Sequence, residues 1–180
     1  MKIERNFELN IWVSTAIAQV LEPYCDQIRI KWPNDIYIGE MKIGGVLIEN
    51  SIRGGQLSHS VIGIGININQ RQFKNLTRAT SLANETNVTF DLMTLTDDLL
   101  TSLDRTYMSM RYGVSLREQY LTYLLGLGQE RSFKDRQTNE TFQGLIQGID
   151  PQGRLIVYNQ SGIKYYWMKE IEFLFSNPAR

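Results

Sequence analysis

Hydrophobic and polar positions divide the chain into a first part that mixes helices with strands and a last part made of strands. Between Leu9 and Tyr24 the apolar residues recur at steps of three and one, which predicts an amphipathic helix that ends near Pro23. Alternating patterns predict strands at residues 27–32, 36–38, 41–50 and 57–69. The turns between these strands are short, which favours antiparallel pairing.

The middle of the chain is less regular. Residues 71–87 are polar and without clear period, which predicts a surface loop. A second helix is predicted to begin at residues 89–91 and to carry an apolar face from Leu92 to Met110. Gly113 ends it, and a third helix is predicted at residues 115–125.

The last part has a different organisation. Its strand-like runs cover residues 131–134, 141–149, 155–159, 162–168 and 171–175. So many short strands in so few residues predict a small closed β-barrel. The Gly-Leu-Gly sequence at 126–128 is the best boundary, so we predict domains at residues 1–126 and 127–180. The fold class is therefore α+β followed by a small β-barrel.

Composition and charge exclude several classes of protein. The 19 basic residues are balanced by 19 acidic ones, which argues against DNA binding by broad electrostatic attraction. One cysteine and one histidine cannot build a usual zinc site, and we predict no metal centre. The first residues lack the pattern of a signal peptide, and the apolar runs are strand-sized. We therefore expect a cytoplasmic protein without a membrane segment.

Two segments combine turn or glycine residues with charge. Residues 31–35, KWPND, form a charged turn at the end of a predicted strand; from the residues alone, ordinary turn formation is a better explanation of them than function. In residues 42–49 (K-x-G-G-x-L-x-E), two glycines interrupt a strand, which marks a bulge or the close approach of a backbone or ligand. Lys42 beside them can offer a cation to a phosphate or carboxylate. The alternative is a bulge at a sheet edge with a solvated lysine.

A third segment, residues 61–69, alternates glycine or asparagine with isoleucine. Gly63, Gly65, Asn67 and Asn69 share one face of the predicted strand, and the isoleucines share the other. One face is then packed core and the other a bare backbone groove against which a flat ligand can lie. Asn67 can donate a hydrogen bond to such a ligand. The G-x-G spacing does not continue into a helix, which excludes a Rossmann dinucleotide site.

In this order, the three segments resemble the second half of the catalytic domain of biotin protein ligases, the biotin–[acetyl-CoA-carboxylase] ligases. The matching text is KWPND at 31–35, K-x-G-G-x-L-x-E at 42–49 and G-x-G-I-N-x-N at 63–69. It continues through ATSL at 79–82 and into the last part of the chain. The resemblance implies a class II synthetase-like α+β domain with a mixed or antiparallel sheet, followed by an SH3-like barrel.

The resemblance also implies an activity. Such enzymes activate biotin with ATP and Mg²⁺ to biotinyl-5′-AMP, then pass the biotinyl group to a lysine of a biotin carboxyl carrier domain. It assigns catalysis to Lys42 and Asp35, biotin binding to Lys42, Gly45, Leu47, Gly63 and Gly65, and nucleotide binding to Lys31, Lys42, Asn67 and Glu170. Lys42 would bridge the biotin carboxylate and the adenylate phosphate, and Asp35 would orient the incoming amine.

The sequence also departs from the family pattern. Nothing in it matches the upstream Gly/Arg loop, of the form G-R-G-R-R-G-R, that closes over the adenylate. This leaves an alternative, a non-catalytic ligase-like module that acts by ligand binding or association. A lipoate ligase is a related alternative, against which KWPND and G-x-G-I-N argue. A sheet without its upstream strands would be under-covered, so we also predict self-association, as a homo-oligomer, or marginal stability.

Overall fold

The computed structural model describes residues 6–175, which form two compact units that divide between Tyr123 and Leu124. The first unit contains four helices and four strands. Their bounds are α1 Phe7–Leu21, β1 Ile28–Lys31, β2 Asp35–Ile38, β3 Met41–Arg53, β4 Gln56–Ile66, α2 Leu82–Thr86, α3 Leu92–Arg111 and α4 Arg117–Tyr123. The strands form one sheet in the order β1-β2-β3-β4, and every neighbouring pair is antiparallel, as predicted.

The core of the first unit lies between α1 and the part of the sheet formed by β1, β2 and the start of β3. Val13, Ile17 and Leu21 on α1 are buried, and so are Ile30 and Ile43 on the strands. The helix ends at Leu21, earlier than Tyr24, because Pro23 cannot continue its hydrogen bonding. Helices α3 and α4 also pack on α1. The apolar stripe predicted from the sequence is therefore the stripe that builds this core.

The strands of this sheet differ greatly in length. Strands β1 and β2 have 4 residues each, whereas β3 has 13 and β4 has 11. Strand β2 pairs with β3 only as far as Gly45. Beyond that point β3 pairs with β4 alone, out to the turn between Arg53 and Gln56. The β3–β4 hairpin therefore extends from a four-stranded base into a two-stranded arm.

The predicted surface loop at residues 71–87 is wrong in its second half. Residues Thr80, Ser81, Leu82 and Ala83 are buried, and α2 begins directly after Ser81. The Ser81 hydroxyl accepts a hydrogen bond from the Asn84 N–H at 3.1 Å, which caps the helix. Polar residues can be buried here because distant backbone groups complete their hydrogen bonds, and single-sequence patterning does not register such partners.

The isoleucine face of β4 is less packed than predicted. Ile62, Ile64 and Ile66 are half-buried, and α1 and α3 leave an apolar hollow of about 350 Å³ beside the last two. The strand ends at Ile66, before the predicted Asn69, because the Asn67 carbonyl accepts from the Leu82 N–H at 3.0 Å. That face is thus a partly covered sheet surface.

The second unit is a five-stranded antiparallel sheet. Its strands are β5 Glu130–Asp135, β6 Thr141–Ile149, β7 Leu155–Asn159, β8 Gly162–Tyr166 and β9 Ile171–Leu174. The hydrogen-bonded order is β8-β7-β6-β5-β9, so within the described residues the ladder starts at β8 and ends at β9. Phe133, Ile146, Leu155, Val157 and Phe173 form one shared core. This small β-unit corresponds to the SH3-like domain of the predicted fold class.

An ion pair with a buried carboxylate stabilises the turn between β6 and β7. Asp150 is only 5% exposed and accepts hydrogen bonds from the Gln152 and Arg154 N–H groups and from Arg154 Nε, the last at 2.6 Å. Burial opposes ionisation, yet the hydrogen bonds and the charge of Arg154 outweigh it. They hold the pKa of the Asp150 carboxyl below its usual range.

We expect Asp150→Asn to lower the free energy of unfolding by about 2 kcal/mol at pH 7, because it removes charged hydrogen bonds. A carboxyl with a lowered pKa in the folded state stabilises the fold above its unfolded pKa of about 3.9 and loses this contribution as the pH falls. Urea unfolding at pH 7 and at pH 3 measures both effects. The exposed Glu130→Gln is the control. A difference between wild type and Asp150→Asn that persists undiminished at pH 3 would contradict this linkage.

Candidate functional site

A shallow groove crosses β3 and β4 where glycines of the two strands face one another. The register places Gly45 opposite Gly65 and Leu47 opposite Gly63. The groove has a volume of about 450 Å³, and its lining consists of Asp35, Lys42, Gly45, Val46, Leu47, Gly63, Ile64 and Gly65. A Cβ atom at Gly65 would meet nothing within 4 Å, and one at Gly63 would lie 3.9 Å from Leu47. The floor is bare backbone, as the alternation in residues 61–69 predicts.

The two adjacent glycines of β3 serve different purposes. A Cβ at Gly44 would clash with the backbone carbonyl oxygen of Gly65. A Cβ at Gly45 would instead lie 2.8 Å from the Asp35 Oδ1 atom. The pairing of β2 with β3 also shifts register between Ile36 and Tyr37. Both predicted meanings of the glycine pair, a bulge and a close approach, therefore occur at this place.

Three charged side chains gather at one end of the groove. Lys42 Nζ lies 2.6 Å from Asp35 Oδ1, and Lys31 Nζ lies 3.8 Å from Asp35 Oδ2. The Lys42 and Asp35 side chains are 43% and 26% exposed, so both can be reached from the groove. Among these three side chains, two are cations and one is an anion. This end of the groove therefore favours an anion.

The KWPND turn is fixed by contacts from helices. Trp32 is buried and is followed by a cis peptide bond to Pro33. The Tyr120 hydroxyl on α4 donates to the Pro33 carbonyl at 2.9 Å, and Asn34 Nδ2 donates to Asn10 Oδ1 on α1 at 2.8 Å. Burial raises the pKa of Tyr120, so its phenol keeps the proton that it donates. Sequence analysis missed Tyr120 because nothing local connects it to a turn so far along the chain.

Residues 78–83 form a clamp that is hydrogen-bonded to Lys42 on β3 and to Asn67 directly after β4. The Lys42 N–H donates to the Arg78 carbonyl at 2.8 Å, and the Thr80 N–H donates to the Lys42 carbonyl at 2.9 Å. Asn67 Nδ2 donates to the Thr80 carbonyl at 3.1 Å. The clamp therefore joins Lys42 to Asn67. Two sequence signals mark this place: the apolar pair Leu82-Ala83 after a capping serine, and the ATSL match at 79–82.

The predicted site residues lie in three places. Lys31, Asp35, Lys42, Gly45, Leu47, Gly63 and Gly65 lie together at the groove. Asn67 follows β4 and uses its amide in the clamp. Glu170 lies in the second unit, where its carboxylate accepts from the Trp167 N–H at 2.7 Å and from Gln137 Nε2 at 3.3 Å. Its nucleotide contact stays a prediction.

Residues 6–175 contain neither a metal-binding cluster of side chains nor a membrane-spanning helix. Within this range no group of three or more His, Cys, Asp or Glu side chains is arranged to hold a metal ion. None of the helices described there is both long and apolar enough to span a membrane.

Family models match both parts of the chain. The model of the "Biotin/lipoate A/B protein ligase family" matches residues 4–67, which include the KWPND turn, Lys42 and the glycine floor. The model of the "Biotin protein ligase C terminal domain" matches residues 127–166. Together the two matches cover more than half of the chain.

Individual relatives agree with these models. The chain is 31% identical to the bifunctional ligase/repressor BirA of Bacillus spizizenii, over 94% of this chain and 54% of that protein. It is 27% identical to the biotin–[acetyl-CoA-carboxylase] ligase of Paracoccus denitrificans, over 82% of this chain and 63% of that protein. The chain thus spans roughly half to two thirds of the length of these relatives.

A solved structure extends the likeness to three dimensions. The biotin protein ligase of Aquifex aeolicus, in complex with biotin and ATP, superposes with a TM-score of 0.76 at 26% identity. The match covers 97% of this chain and 74% of that one. The likeness covers both units described above.

Proposed function

Because the chain belongs to the biotin protein ligase family, we propose that it activates biotin with ATP and transfers the biotinyl group to a lysine of a biotin carboxyl carrier domain. The observation that carries this proposal is the glycine floor of the groove with Lys42 at its end. A flat ring system and a carboxylate on a short chain are the two features that such a site fits. Biotin has both.

The biotin rings would lie on Gly63 and Gly65, with Gly45 and Leu47 completing the wall. Any side chain at Gly65 would project into space that the structure leaves open. Leu47 is 64% exposed at the far end of the groove and offers apolar contact to the rings. The carboxylate would then point toward the excess positive charge at Lys42 and Lys31.

In the first half-reaction, a biotin carboxylate oxygen attacks the α-phosphorus of ATP, and the bond to pyrophosphate breaks. Lys42 offsets the negative charge where the carboxylate and the phosphate meet, which is an electrostatic contribution to the rate. Lys31, Asn67 and Glu170 are the residues that we propose for nucleotide contact. Mg²⁺ enters as part of the ATP co-substrate.

In the second half-reaction, the carrier lysine attacks the acyl carbon of biotinyl-5′-AMP and AMP leaves. Asp35 lies at the charged end of the groove, 26% exposed, and we assign it the orientation of this amine and the acceptance of its proton. The carrier domain is the partner that this reaction requires.

The test is direct labelling. Purified chain is incubated with biotin, MgATP and an apo carrier domain, and biotin on the carrier is detected by mass spectrometry; reactions without ATP are the blank. We expect labelled carrier. A chain that binds biotin but never labels the carrier would contradict the proposed ligase activity and favour a non-catalytic module.

Gly65→Val tests the glycine floor without disturbing the fold. A Cβ at this position meets nothing within 4 Å, and β-branched residues suit strands, so stability should not fall. The added methyl groups would occupy the space of the biotin rings, and we expect at least a tenfold weaker Kd for biotin by calorimetry. The control is Val61→Ile, an exposed position on the same face of β4 outside the groove lining. Equal biotin affinity in Gly65→Val and wild type would contradict the placement of the biotin rings on this floor.

A further inference from the structure

The ammonium group of Lys42 has two alternative partners, Asp35 and the anion of the ligand. In the structure it donates to Asp35 Oδ1 at 2.6 Å, and in the proposed reaction it holds the biotin carboxylate and the adenylate phosphate. The positions of the glycines show where the ammonium now lies. It is 3.6 Å from the place of a Cβ at Gly45, whereas nothing lies within 4 Å of the corresponding place at Gly65. Asp35 thus holds the Lys42 ammonium beside Gly45 and leaves the space over Gly65 open.

The charges at this end allow a second arrangement. Asp35 lies between two ammonium groups, with Lys31 Nζ 3.8 Å from its other carboxylate oxygen. One added anion gives two cations and two anions. Each cation can then have a partner of its own: Lys42 the ligand and Lys31 the carboxylate of Asp35. Because Lys31 remains beside Asp35, the departure of Lys42 does not leave that carboxylate without a cation.

We propose that Lys42 exchanges Asp35 for the ligand's anion when biotin binds, and that this exchange exposes Asp35 to the acceptor amine. This inference rests on the proposed function and adds an order of events to it. In the transfer step the amine nitrogen bonds to the biotinyl carbon, and the bond from that carbon to the phosphate oxygen of AMP breaks. Asp35 takes the proton that the nitrogen loses. Before the exchange, Lys42 covers the oxygen that would take it.

The exchange makes Asp35 a competitor of biotin for Lys42, so the removal of Asp35 should strengthen biotin binding and slow the transfer step. An exposed ion pair of this kind contributes up to about fivefold to an equilibrium. We therefore expect Asp35→Asn to bind biotin about two- to fivefold more tightly, since Lys42 no longer has to leave a partner. Transfer from preformed biotinyl-5′-AMP should slow by about 10² or more, because the proton acceptor is lost. A residue that only supports the fold would worsen both.

Two controls separate exchange from simple repulsion between Asp35 and the ligand. Biotinamide has no carboxylate, so its affinity should be the same in wild type and Asp35→Asn. In a double-mutant cycle, the gain for biotin should vanish when Lys42 is replaced by Met and grow when it is replaced by Arg, which binds carboxylates through two hydrogen bonds. Repulsion alone would leave the gain unchanged in both backgrounds.

The outcomes distinguish this proposal from the proposed function. Suppose that the wild type labels the carrier. If Asp35→Asn then weakens biotin binding, or if its gain in biotin affinity does not depend on Lys42, the exchange is wrong and the proposed function stands. The same cycle is run with inorganic pyrophosphate as the anion. A chain that labels no carrier but shows a Lys42-dependent gain for pyrophosphate supports the exchange while the function fails. Absence of the gain with both anions overturns the exchange.

Discussion

Lys42→Ala is expected to reduce the rate of biotin transfer to an apo carrier domain by about 10²–10³-fold, the usual cost of removing one group that stabilises charge in a transition state. Lys42 is the cation at the end of the glycine floor, 2.6 Å from Asp35. Its loss also leaves Lys31 alone opposite Asp35, so the groove end loses its excess positive charge. The measurement is initial-rate labelling of the carrier at saturating ATP.

Two further variants make the result specific. Lys74→Ala removes an exposed lysine of the same unit and should leave the rate unchanged. Lys42→Arg keeps the charge and should restore part of the rate, because charge rather than shape is the main requirement in this assignment. Full activity in Lys42→Ala would show that the anion is held elsewhere and would contradict the catalytic assignment.

Gly44→Ala is expected to destabilise the first unit by about 3 kcal/mol, a large part of a typical domain's stability. The added Cβ would clash with the Gly65 carbonyl oxygen and lie about 3.0 Å from the Ile66 Cα, so backbone atoms rather than a flexible side chain would have to move. Those atoms belong to the ladder between β3 and β4. Urea unfolding followed by circular dichroism measures the change.

The matched control is Gly65→Ala, the glycine on the partner strand. Its Cβ meets nothing within 4 Å, so the same chemical change should leave stability equal or raise it by about 0.5–1 kcal/mol. Equal destabilisation by the two substitutions would mean that glycine matters at Gly44 for a reason other than the close approach of backbones.

The groove floor is the part of the site that the sequence predicted best. Strand periodicity is local, so the shared face of Gly63 and Gly65 follows from their spacing of two, and the structure confirms it. The pairing of Gly45 with Gly65 was not predictable in the same way. It depends on the register of β3 and β4, which shifts between Ser51 and Ile52.

The contacts that hold the site were missed because their partners are distant in sequence. Thr80 reaches Lys42 across 38 positions, and Tyr120 reaches Pro33 across 87. Composition also misled: residues 71–87 are polar, yet Thr80 and Ser81 are buried with their hydrogen bonds made. The isoleucine alternation in β4 was recognised correctly as a face, but a pattern does not tell how completely helices will cover it.

Because the strands differ in length, one end of the groove is rigid and the other is flexible. Lys42 belongs to the base, where it pairs with Tyr37 of β2 on one side and its backbone is hydrogen-bonded to Arg78 and Thr80 on the other. Leu47 and Gly63 belong to the arm, where each strand is paired only with the other. A two-stranded ribbon bends more easily than a sheet. The arm can therefore adjust to the shape of the ligand that lies on it, while the backbone that carries Lys42 stays fixed. Shape is accommodated at one end of the hairpin and charge is supplied at the other.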